Sequence, residues 1–275
     1  MANKNKRKSG KKSSSRKNFD REAIPADVKR EVRQRCGFGC VFCGLPFYDY
    51  EHMAEWAIVK RHVASEMTLL CPNHHRQKTK KLISKADLEE ANRSPYNLAQ
   101  EMSSFPFLAQ SASLVLQLGG TSFFYDQDSA AAGMVVLSVQ SERIIWLNFQ
   151  QGNLLLNLSL YDQKGKQIVR IRDNELVYST DPWDITFVGN TLRIQAQARD
   201  TLLSLTFDPD ANVISFNEAK LRFAGYEVLI DKDGFGMPAS VNGFKNCRIK
   251  GSGHLFNYGG DSSTAFINFF GAKAY

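Results

Sequence analysis

The spacing of apolar positions changes once along this chain, near residue 111. Before that point Val28, Val32 and Cys36 recur every four residues while Lys29, Arg30 and Arg33 take the other face. With Pro25 suited to a first helical position and Gly37 ending the run, the pattern predicts a helix over about 26–35. Residues 37–83 are short apolar pieces broken by cysteine, histidine and glutamate. Ser84 followed three residues later by Asp87 predicts a capped helix running through Leu88 to a stop before Pro95. A linker is expected over 101–110. Beyond it LVLQL, MVVLSV, RIIWLNF, LLLNLSLYD, TLRIQAQ and LLSLTF alternate or run apolar between turn sequences such as QKG and DPDAN. That period of two predicts an all-β region over 111–275, a sandwich or barrel, although the short Asn/Gly-rich pieces of NGFKNCRIKGSGHLFNYGG would also suit a β-solenoid.

Composition adds a core and a charged arm. The 275 residues are 43% hydrophobic, ample for burial. Residues 1–17 hold eight of the Lys/Arg and no acid, 20–100 hold thirteen against eleven, and 101–275 hold fourteen against seventeen, so the arm supplies the whole net charge of +7. Residues 1–19 have nothing to bury and are expected to be a disordered basic tail. No run of eighteen apolar residues and no apolar leader is present, and the expected location is cytoplasmic.

Cysteine and histidine are placed unevenly. Cys36, Cys40, Cys43 and Cys71, with His52, His62, His74 and His75, fall within forty residues, which points to metal rather than disulfides. Zinc on Cys40, Cys43, Cys71 and His74 would staple two turns together and stabilise a segment with a small core. Cys36 continues the helical apolar stripe and is expected in the core, though it could displace Cys40. His74 and His75 are adjacent and cannot easily aim at one ion, so two sites are implied. Glu51 and His75 offer one carboxylate and one imidazole for a Mg2+ or Mn2+ ion. A purely structural zinc ribbon would explain neither Glu51-His52 nor His75.

In Cys40-x2-Cys43, Glu51-His52 and Leu69-Leu70-Cys71-Pro72-Asn73-His74-His75-x2-Lys78 the chain resembles the HNH endonucleases of the ββα-metal fold, in the subgroup clamped by a zinc knuckle. The likeness covers about residues 24–97. It implies an α+β chain, with a zinc-stapled ββα-metal nuclease module over 20–100 followed by the larger β domain. It also implies that His52 is the general base of phosphodiester hydrolysis. Glu66 stands where the family has an Asn that orients the base; its carboxylate could accept the same imidazole hydrogen bond. The expected partner is nucleic acid, most plausibly double-stranded DNA, contacted by Lys78 and by Lys4, Lys6, Arg7, Lys8, Lys11 and Lys12 of the tail. The β domain is expected to regulate, oligomerise or bind a partner, as in nucleases of mobile elements or phage defence. A different outcome, if Glu66 disables the site, is a zinc-dependent DNA-binding protein that does not cut.

Overall fold

The computed structural model describes residues 23–54, 60–106, 113–125, 133–151, 153–238, 243–250, 253–258 and 265–269. The tail positions Lys4, Lys6, Arg7, Lys8, Lys11 and Lys12 lie outside them.

Helix α1 (Ala26–Arg35) begins after Pro25 and carries Asp27 in its first turn and Arg33 and Arg35 in its last, each sign matching the helix dipole. It stops where Gly37 takes a φ of +66° and the Phe38 amide donates back to the Arg33 carbonyl over 2.8 Å. Strands β1 (Asp49–His52) and β2 (Met67–Leu70) pair antiparallel, with Glu51 opposite Thr68 and His52 opposite Met67. Helix α2 (Pro72–Thr79) starts on Pro72 at N1, and α3 (Lys85–Arg93) opens with the reciprocal Ser84/Asp87 capping box. A short α4 (Tyr96–Gln100) leads into β3 (Met102–Pro106). Among the described residues no helix is long and apolar enough to cross a membrane.

The remaining strands form two large sheets. One runs β20 (Ala265–Phe269), β19 (Gly253–Tyr258), β6 (Met134–Val139), β7 (Glu142–Gln150), β8 (Asn153–Tyr161), β9 (Gln167–Arg172), β10 (Glu175–Ser179) and β3. The other runs β11 (Asp184–Val188), β12 (Thr191–Gln197), β13 (Asp200–Asp208), β14 (Val213–Phe223), β15 (Tyr226–Asp231), β16 (Gly234–Gly236) and β17 (Gly243–Lys245). To it are added β4 (Leu114–Leu118), parallel to β14, then β5 (Thr121–Tyr125) and β18 (Arg248–Lys250). Alternation explains the burial: Leu114, Leu116 and Leu118 point inward while Val115 and Gln117 stay partly exposed. Leu137, Ile145, Leu158 and Ile171 of the first sheet share one core with Leu205, Phe216 and Leu221 of the second. The result is a sandwich, one of the arrangements that a period of two left open.

Two expectations are corrected. The chain is not α+β with a distinct ββα-metal module; among the described residues strand far outweighs helix, large sheets dominate, and no such module is evident. The physical reason is that the described residues before β3 form strands of four residues and α-helices of five to ten around a small core that includes Val32, Met67, Leu69 and Leu88, and this small core is tied to the sandwich. Phe38, 1% exposed, sits in the sandwich core, and the Tyr178 hydroxyl donates to its carbonyl over 3.4 Å. The solenoid alternative also goes, because β18 and β19 join β5 and β6 in different sheets and do not stack as rungs. Of the expected linker, 102–106 is strand β3, hydrogen-bonded along β10, and 107–110 lies outside the described residues.

Candidate metal centre and the adjoining Glu51 cluster

Cys40 and Cys43 lie in the turn before β1, and Cys71 and His74 at the start of α2. That turn is fixed from behind. The Asn97 side-chain amide donates to the carbonyls of Gly37 and Gly44 at 2.9 and 3.0 Å, and the Ser103 hydroxyl to that of Gly44 at 3.1 Å. Gly44 has a φ of +73°, and a Cβ there would come within 2.0 Å of Asn97 Oδ1, so only glycine fits.

The donor atoms of Cys40, Cys43, Cys71 and His74 all lie within 4.8 Å of one another. Cys43 Sγ is 3.8 Å from Cys71 Sγ, and His74 Nδ1 is 3.3 Å from Cys40 Sγ and 3.2 Å from Cys71 Sγ. A tetrahedral ion with bonds of ~2.3 Å to sulfur and ~2.0 Å to nitrogen needs S···S of ~3.8 Å and S···N of ~3.6 Å. The cluster could therefore hold a metal ion such as zinc after small adjustments. Cys71 caps α2, and its Sγ accepts from the His74 amide 3.5 Å away. A hydrogen bond shared with Cys43 lowers the Cys40 thiol and raises its partner. Cys36 is outside the cluster. It is fully buried between Thr68 and Asn92, and burial pushes its thiol up, which fits a core residue.

Beside this cluster a second group forms between β1 and α2. His75 Nε2 is 3.0 Å from Glu51 Oε2, and the Lys78 ammonium pairs with Glu51 Oε1 while donating to the His52 carbonyl over 2.7 Å. His74 and His75 thus point into different groups of side chains. His52 follows Glu51 on β1 but is turned inward, 6% exposed, with its ring 5.3 Å from that of His62. His62 itself is half-buried. Glu66 does not stand alone: Arg61 Nε donates to its Oε2 over 3.1 Å, and this bond, more than His52, lowers its carboxyl. In the other half His254 lies 2.7 Å from the Ser138 hydroxyl, and Cys247 is partly exposed, its thiol donating to the Lys245 carbonyl.

One contact near the site had no sequence signal. Arg33, on α1, donates from Nε to Asp184 Oδ1 over 2.8 Å and from Nη1 to the Tyr50 hydroxyl over 2.5 Å, and its Nη2 lies 2.5 Å from Asp184 Oδ2. Arg33 is 8% exposed and Asp184 5%. Burial alone would lower the guanidinium, but Asp184 and Tyr50 reverse this and hold it above its usual value.

No family model matches the chain, and neither the curated proteins nor the solved structures contain a match to it.

Proposed function

We propose that the chain is a metal-dependent endonuclease of the HNH type, hydrolysing phosphodiester bonds in DNA. The observation that carries this reading is the meeting of Glu51 and His75 at 3.0 Å on two elements that the Cys/His cluster holds side by side. Glu51 and His75 would hold Mg2+ or Mn2+, an oxygen- and imidazole-binding ion that leaves coordination positions for water and phosphate. Such an ion, when bound, supplies positive charge against the phosphate and the leaving oxygen. His52 is the residue to take the proton from the attacking water, since an imidazole is partly neutral at pH 7. Lys78 holds the carbonyl end of β1 and offsets the Glu51 charge. The basic tail would add sequence-independent attraction to DNA.

The test is relaxation of a supercoiled plasmid with Mg2+ or Mn2+. The parent should nick it, and His52→Ala should bind DNA and zinc as the parent does without cutting. A second reading, a zinc-dependent DNA-binding protein that does not cleave, is favoured by three features. The Lys78 ammonium pairs with Glu51 Oε1, Arg61 holds Glu66, and His52 is buried. A parent that retains DNA but leaves the plasmid intact at every metal concentration would establish it.

A further inference from the structure

The chain holds a buried charge pair 151 residues apart in sequence, and it ends on the residue before Glu51. An ion pair serving only to glue α1 to the sandwich would need Arg33 and Asp184. Here the guanidinium is bidentate on Asp184 and uses its remaining arm, Nη1, on the Tyr50 hydroxyl. Arginine is planar, so fixing two of its nitrogens fixes the direction of the third. Tyr50 and His52 share one face of β1 by strand alternation, while Glu51 takes the other, so the rotation of the strand at Tyr50 sets both. Helix α1 braces the partner strand as well. Arg35 donates to the Ala64 carbonyl over 2.9 Å and to that of Met67, at the start of β2. Its outer side is tied to the sandwich by Gln34, which donates to the Trp183 carbonyl over 2.6 Å, and by Arg30, 4.6 Å above the Trp183 ring.

We propose that Asp184, through Arg33 and the Tyr50 hydroxyl, positions the strand that presents Glu51 and His52, so that the sandwich sets the competence of the site. All three are positioning residues. The proposal rests on the nuclease reading for its catalytic consequence, and on geometry alone for the displacement of His52.

Tyr50→Phe is the sharpest variant, because it deletes only the acceptor. The ring keeps its edge contact with Tyr48 at 5.9 Å and Lys29 above it at 5.7 Å. Arg33→Met/Asp184→Leu removes the pair without stranding a charge. In the full-length protein, kcat for plasmid nicking should fall roughly tenfold in Tyr50→Phe and on the order of a hundredfold in the double variant, with KM within about twofold. Zinc content should stay the same, and the His52 imidazole resonances, assigned with His52→Ala, should move while those of His74 do not. Unchanged kcat and unmoved His52 resonances in Tyr50→Phe overturn the proposal, whether or not the double variant folds. A parent that does not cut removes the nuclease reading, and the His52 resonances then decide the positioning by themselves.

Discussion

Replacing Cys43 by alanine separates the contribution of the metal from that of packing. Cys40 and Cys71 are buried, so truncating either would also open a hole, whereas Cys43 is exposed and its loss removes almost no buried surface. The ion that Cys43 and Cys71 would share closes a stretch of 28 residues. The chain-entropy relation for a cross-link of that length gives about 3–4 kcal/mol of stabilisation, lost when the link opens. A unit of 60–100 residues shifts by roughly 4–8 °C per kcal/mol, so the transition of the segment before β3 should fall by roughly 12–30 °C. Circular dichroism at the helical minimum isolates it, because every described helix lies between Ala26 and Gln100. Elemental analysis on the same samples should show about one zinc per parent chain and little in the variant. A Cys43→Ala protein that keeps its zinc and the parent's melting curve refutes the four-donor argument.

Cys36→Ala should retain zinc yet lose about 1–3 kcal/mol in urea unfolding, because the thiol fills a closed part of the small core; loss of metal would make it a ligand after all. His254 is held below its usual value chiefly by burial, so the folded state resists its protonation. Its contribution to sandwich stability is complete above about pH 6.5, the unfolded value, and is lost as pH falls toward the lower folded value. Denaturant melts at pH 7.5 and 5.5 should show that decline, and His254→Gln should flatten it. Deleting residues 1–17 should make the slope of log K for DNA against log salt shallower by roughly 3–4 units, half the eight charges contacting phosphate; an unchanged slope would remove the tail from the interface.

Local chemistry was legible in the sequence and distant pairing was not. The four-residue stripe of Val28, Val32 and Cys36 placed α1 correctly, and Ser84 with Asp87 marked the start of α3 because capping is decided within one turn. The Cys/His spacing located a cluster that could hold a metal ion for the same reason: its donors sit in two short turns. Strand alternation announced strands but not whether they would form a sandwich, a barrel or a solenoid, nor their order, since a period of two carries no information about which edges meet. It gave no sign that β3 would extend the first sheet beside β10. Nothing in the surroundings of Arg33 distinguished it from Lys29 or Arg30 on the same polar face, because its partner is Asp184. The resemblance in the ligand-bearing segment overstated how far those residues form a unit of their own, since Phe38 and Arg33 are committed to the sandwich.

The Arg33–Asp184 pair also imposes an order in time. A ribosome adding about 5–20 residues per second releases His74, the last of the four metal donors, roughly 5–20 s before Asp184, which lies about 110 positions later. Throughout that interval the nascent chain already holds every donor of the candidate metal cluster and both strands β1 and β2, but the guanidinium of Arg33 has no carboxylate to fix it. If strand β1 is set by that contact, a half-made molecule has all four donors of the Cys/His cluster in place and a strand β1 without its brace. Under the nuclease proposal, competence would then wait on the order of synthesis, and a truncated product ending before Asp184 would be expected to be inert.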